Sequence, residues 1–192
     1  SPTQADWLLS KYDIVAQYGN DGAGFSATVF KRKPVTDPVT GVPLPGAVNS
    51  DPYVLAFRGN DLEPDRVGGV AKDGGLAAMR EINRYGFAWA QLDAMERFWA
   101  GLSQGKVLNR AGQWINVSGG SAATAGGLKV IGSGVGAHLA AAFTLLHEDK
   151  VSQGIGLDGP GIGGLSNGAG GSNPMTKDVL QAKLQDFIKI MA

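Results

Sequence analysis

The segment of this sequence with most chemical content is Gly132-Ser133-Gly134-Val135-Gly136. It stands between the apolar run Leu128-Lys129-Val130-Ile131 and the Ala-rich stretch Ala137 to His147. Such an order reads as strand, five-residue turn, helix. The turn is sharp, and glycine at its ends removes side chains that would collide. Three chemistries fit. One is a strained bend that presents a nucleophile, with the backbone N–H groups after it and the helix N-terminus stabilising an oxyanion. That bend requires Gly-x-Ser-x-Gly, whereas the centre here is Gly134 and the serine comes one place early, at Ser133. The second is a dinucleotide phosphate loop: the segment opens as Gly-x-Gly, has His138 where the third glycine belongs, and is followed by Asp149 and Asp158 as nominal ribose carboxylates. The third is a plain glycine turn, and the local pattern leaves all three open.

Other reactive groups are sparse. There is no cysteine, which excludes disulfides, thiolate metal sites and a cysteine nucleophile. The two histidines, His138 and His147, both lie in the helix after the turn and read as structural. Asp61, Glu63, Asp65 and Asp73 share one loop, and Asp158, Ser166, Asn167 and Ser172 another. Either set offers oxygens to a hard cation such as calcium, but neither has a loop-ligand spacing, so solvated turns are expected and no cofactor is assigned. Trp7, Trp89, Trp99 and Trp114 are expected in the core or at its rim.

The elements that must position these groups follow from periodicity. Ala5 to Tyr12 reads as a short helix, Phe25 to Phe30 as a strand, and Tyr53 to Phe57 as a buried strand. Between them, Lys33 to Pro52 carries five prolines and reads as a surface loop or wide hairpin connection. Gly19 to Gly22 and Leu62 to Gly75 read as turn and loop. Leu76 to Ala100 keeps a helical spacing through Met79, Ile82, Gly86, Ala90, Met95 and Phe98. Lys106 to Leu108 and Trp114 to Val117 suggest a hairpin. Val151 to Leu157 is a further strand, residues 159–173 a Gly-rich loop, and Thr176 to Ala192 a final helix with Val179, Leu180, Leu184, Phe187, Ile188 and Met191 on one face. That face is expected to cover the sheet or to meet a protein partner. Strands separated by helices predict an α/β fold with a mostly parallel sheet flanked by helices.

Composition bounds the rest. A chain of 192 residues with 43% hydrophobic and 18% charged residues is expected to form a single globular domain over 1–192. Seventeen cationic and seventeen acidic side chains cancel, which argues against a general nucleic-acid binder. No apolar run approaches the roughly 20 residues of a transmembrane helix. Thirty glycines are about twice the usual share, so tight turns and close backbone approaches must be many. Ser1 is not a natural start, which suggests a processed or cut N-terminus, and a helix running to Ala192 leaves room for a C-terminal continuation.

Three segments together resemble the α/β-hydrolase family in its class-3-like bacterial lipase form. Val130-Ile131-Gly132-Ser133-Gly134-Val135-Gly136-Ala137-His138-Leu139-Ala140 is similar to the lipase pattern V-x-G-H-S-L-G-G/A-H-L-A, departing from it at Ser133, Gly134 and Val135. Tyr53 to Asp61, through Phe57-Arg58-Gly59-Asn60, resembles the F-R-G-T segment. Gln91 and Ala94 match a Q-x-x-A pattern in the long helix. Gly24 to Phe30 resembles the family's opening strand, and Val151 to Ile162 the strand and loop after the bend. The likeness spans roughly residues 13 to 165.

The resemblance implies an acyl-ester or lipid ligand and an oxyanion hole from the N–H groups of Asn60 and Val135. It places the nucleophile at Gly134, which has no side chain and cannot form an acyl-enzyme. Ser133 substitutes only if the turn shifts by one residue, which would aim the hydroxyl away from the pocket. Asp158 matches a position where some lipases carry the triad acid. The triad order Ser, Asp, His asks for a histidine after Asp158, and none follows. The expectation is therefore a lipase-like hydrolase that is inactive or strongly impaired, a pseudoenzyme, or one cut short before its histidine. The alternatives are a non-catalytic binding or assembly module on the same fold and a nucleotide-binding α/β domain.

Overall fold

A computed structural model describes residues 2–19, 23–44, 52–59, 74–109, 111–162 and 175–191. The chain runs α1 (Pro2–Lys11), β1 (Tyr12–Tyr18), β2 (Ala27–Arg32), β3 (Tyr53–Phe57), α2 (Gly74–Tyr85), α3 (Trp89–Ser103), β4 (Lys106–Leu108), β5 (Trp114–Asn116), α4 (Gly120–Ala123), β6 (Leu128–Ser133), α5 (Val135–Leu146), β7 (Val151–Leu157) and α6 (Lys177–Met191). One sheet has the order β1-β2-β3-β6-β7, and β4 with β5 forms the expected hairpin.

The α/β expectation holds in part, because the sheet is mixed. β3, β6 and β7 run parallel, and helices lie in the chain between them. β1 and β2 are antiparallel to their neighbours, and the described part of the connection from β2 to β3, residues 33–44 and 52, holds no helix. That connection carries a single isolated bridge, Thr36 to Pro43, among its described residues and is largely exposed.

β1 is an element the sequence reading missed. Its register slips between Ile14 and Ala16, so Ala16 and Tyr18 turn into the core while Ile14 is exposed. A bulge of this kind breaks the alternation by which strands are recognised. The expected helix over 76–100 is two helices. Gly86, at φ 84°, donates its N–H to the Ile82 carbonyl at 2.8 Å and ends the first. A left-handed glycine is a common helix stop.

The buried face of the sheet presents Ala27 and Val29, Leu55 and Phe57, and Leu128 and Val130. α5 lies on this face against β3, β6 and β7. A file of rings ties the layers together: Tyr18 meets Phe98 at 5.7 Å between centroids, Phe25 meets Phe57 at 6.0 Å, Phe57 meets Phe143 at 5.7 Å and Phe143 meets Trp99 at 4.9 Å. Trp89 and Trp99 are core residues, while Trp7 and Trp114 are exposed. α6 buries Leu180 and Leu184 against α3 and α5, so it covers helices and not the sheet as expected. No helix among the described residues is long and apolar enough to cross a membrane.

Phe143 joins strand, helix and ring file with no exposure. Phe143→Ala is expected to cost about 3–5 kcal/mol in denaturant unfolding. A loss below about 1 kcal/mol would mean that the layers are not held in this way.

Candidate functional site

The sheet and helices converge on the bend at the end of β6. β6 stops at Ser133 and α5 starts at Val135, so one residue makes the reversal. Gly134 does so at φ 57° and ψ −126°, a conformation open to glycine and strained for any side chain. Its N–H donates to the Leu157 carbonyl at 2.9 Å, which pins the bend to the end of β7. Its carbonyl accepts from the Ala137 N–H at 3.0 Å, opening the helix.

Glycines around the bend let four backbone segments touch. A Cβ on Gly132 would run into the Gly136 carbonyl. One on Gly136 would sit 2.5 Å from the Phe57 oxygen and 2.7 Å from the Arg58 oxygen. One on Gly59 would lie 2.5 Å from the Ser133 oxygen, and one on Gly159 would lie 2.5 Å from Ala137 Cβ and 3.1 Å from the Gly134 oxygen. The ends of β3 and β7, the bend and the first turn of α5 are therefore in backbone contact. The first-turn amides of Val135 and Gly136 have no carbonyl to bond within the helix. No acidic side chain sits in that turn to neutralise the helix dipole, so the bend favours negative charge.

Gly134, Ser133, Val135 and Asp158 come together at this end of the sheet. Ser133 is exposed and is paired with Leu157 on the face away from α5. Val135 is buried against Ala78 and Ala88. Asp158 follows Leu157 directly, is exposed, and takes a left-handed φ of 51°, unusual for a residue with a side chain. Asn60 lies outside the described residues, as do Asp61, Glu63, Asp65, Asp73, Ser166, Asn167 and Ser172. Gly59, just before Asn60, abuts Ser133. Among the described residues no group of three His, Asp or Glu side chains could hold a metal.

Both histidines are engaged in contacts that hold helices together. His138 is fully buried. Its Nδ1 faces the Gly161 carbonyl at 2.9 Å and its Nε2 accepts from the Ala88 N–H at 3.4 Å, which fixes the neutral tautomer with the proton on Nδ1. It thus straps the loop after β7 to the start of α3. His147 closes α5 and meets Glu96 of α3 at 2.8 Å. Glu81, read in the sequence only as a charged residue off the apolar face of the long helix, has a role: its Oε2 accepts the Ala90 N–H at 3.3 Å and so caps α3, whose own N-cap, Ala88, has no capping side chain. Its only sequence signal is a carboxylate eight residues before the helix, too distant for a capping box. Buried Gln91 donates to the Ala23 carbonyl at 3.1 Å and ties α3 to the segment before β2.

Comparison with protein-family models, with curated proteins and with solved structures returned no match.

Burial pushes the His138 imidazole below its ordinary value, with the Gly161 carbonyl opposing more weakly. The unfolded chain therefore binds a proton that the folded chain resists. The stability this strap contributes is complete above about pH 6.5 and is lost as the pH falls below it, at roughly 1.4 kcal/mol per unit of depression. Glu81 pulls the other way, because burial raises its carboxyl. The difference between wild type and His138→Gln isolates the imidazole. Unfolding between pH 7.5 and 5 should show the wild type losing more stability than the variant, and parallel curves would contradict a buried neutral His138.

Proposed function

We propose that this chain is a lipase-like α/β-hydrolase domain whose bend has lost its nucleophile, so that it holds an acyl ester or lipid at the ends of β3, β6 and β7 and hydrolyses it poorly or not at all. The observation that carries this reading is the conformation of Gly134. A one-residue reversal at φ 57° and ψ −126°, between a parallel strand and a helix, is the strained strand-to-helix turn on which a serine nucleophile is mounted. Glycine fits that turn without strain and leaves no attacking atom.

The supporting parts are backbone. The Val135 N–H heads α5, and the chain leaving β3 at Gly59 passes against Ser133, where a second donor from Asn60 is needed. Asp158 leaves β7 beside the bend, as a triad acid would. Ser133 sits on the strand, one residue before the reversal, and is a poor substitute. Nothing here aims a histidine at the bend, since His138 has both nitrogens engaged. An oxyanion hole and a binding surface without nucleophile or base retain only residual catalysis. A nucleotide-binding reading is less well served, because the close approach of Gly59 to the bend has no part in a phosphate loop.

The test is an ester assay on the chain beside Gly134→Ser, with labelling by a serine-directed fluorophosphonate. Wild type should show no turnover near the usual enzymatic range of about 1–1000 per second and no label. Gly134→Ser should take up the label only slowly, because no base activates its hydroxyl, at about 1–3 kcal/mol of lost stability from the strained backbone. Ordinary turnover by wild type that disappears in Ser133→Ala would overturn the proposal.

A further inference from the structure

The opposite end of the sheet carries a second feature. β2 ends at Arg32, beside the start of β3, since Lys31 pairs with Tyr53 while Phe57, at the far end of β3, pairs with Gly132 near the bend. There α1, β1, the end of β2 and the segment after it enclose a cavity of ≈ 350 Å³. The residues that line it include the cations Lys11, Arg32 and Lys33 and the aromatics Trp7 and Tyr12.

Backbone register forces these groups together. Tyr12 pairs directly with Arg32, and the Lys33 N–H donates to the Lys11 carbonyl at 2.8 Å. Like charges set across a strand pair repel. One carboxylate relieves them: Asp13, 3.3 Å from Lys33 Nζ. Lys33 Nζ also donates to the Leu9 carbonyl at 2.8 Å, tying down the last turn of α1. Lys33 is thus committed to the fold. Among the described residues, no carboxylate lies within ion-pair distance of Lys11 or Arg32. Among the described residues, the three cations of the wall and the one carboxylate paired with them leave an excess of two positive charges. Trp7, at the same cavity, is 63% exposed, a large apolar ring left in water.

We propose that this cavity binds an aromatic phosphate monoester. Its dianionic phosphate lies between Lys11 and the Arg32 guanidinium, whose fork matches phosphate oxygens. Its ring packs on Trp7 with Tyr12 beside it. The volume lies within the range of small-ligand sites, and a phosphate monoester carries close to the excess charge near neutral pH. The site lies at the other end of the sheet from the bend and does not depend on the hydrolase reading.

The experiment follows tryptophan fluorescence while phenyl phosphate is titrated in at low salt, with calorimetry on the same solutions. Saturable quenching with Kd of about 0.1–1 mM is expected, weakening as salt rises. Inorganic phosphate and benzoate should each bind several-fold more weakly, and phenol not measurably. Lys11→Gln and Arg32→Gln should each lower affinity about tenfold or more. Both side chains are exposed, so these variants should fold, and the ligand-free Lys11→Gln protein should melt about a degree or two higher as the repulsion is eased. Trp7→Phe should lose the optical signal while calorimetry still detects weaker binding. No saturable response up to about 10 mM, unchanged affinity in a Lys11→Gln/Arg32→Gln double variant, or equal affinity for phenyl phosphate and inorganic phosphate would overturn the proposal.

Discussion

The arrangement of this protein depends on how closely α5 approaches the strands around it. Its first turn lies on the ends of β3 and β6 at separations that leave no room for a Cβ on Gly136, facing β3, or on Gly132 of β6. Side chains there would force the helix outward and break the contact of Phe143 with Phe57. They would also shift Val135 from its place against Ala78 and Ala88. With glycine at these positions, helix, bend and strand ends are set by backbone contact, and the orientation of the first-turn amides follows.

That constraint explains much of the glycine content and links fold to function. Gly154 and Gly156 continue the same close packing along β7, where Cβ atoms would meet Thr144 Oγ1 at 2.9 Å and Ala137 Cβ at 3.2 Å. A backbone-built site survives the loss of a reactive side chain, because its donors are main-chain N–H groups whose positions do not depend on residue type. The bend at Gly134 is held by backbone contacts of this kind, its N–H on the Leu157 carbonyl among them. His138, used as a strap between the loop after β7 and α3, stiffens the surroundings of the bend without taking part in proton transfer.

The sequence was legible where its signals were local. β7 has the bounds expected of Val151 to Leu157, and a strand, a bend and a helix do follow one another around Gly134, but the expected five-residue turn shrinks to one residue because β6 runs on to Ser133 and α5 starts at Val135. It was opaque where the deciding factor was not local. The bulge in β1 hid a strand, and Gly86 stood at an apolar position of the helical period while in fact ending the helix. Strand direction carries no residue pattern, so the antiparallel half of the sheet appeared only in the pairing of β2 with β1 and β3. Of the site, Gly134 and Ser133 were singled out by the glycine spacing, Val135 and Asp158 by the family resemblance, and the four lie together. The close packing of Gly59 and Gly159, and the capping by Glu81, depend on contacts between distant segments.

Equilibrium unfolding of Gly132→Ala beside Gly41→Ala measures the central constraint. Gly41 has φ 70° and nothing within 4 Å of an added Cβ, so that substitution reports backbone strain alone, about 1 kcal/mol. Gly132→Ala should cost at least about 3 kcal/mol, because its Cβ meets backbone that can yield only by moving α5. Equal losses for the two variants would mean that α5 is not wedged against the strand ends, and the bend at Gly134 would lose its physical basis.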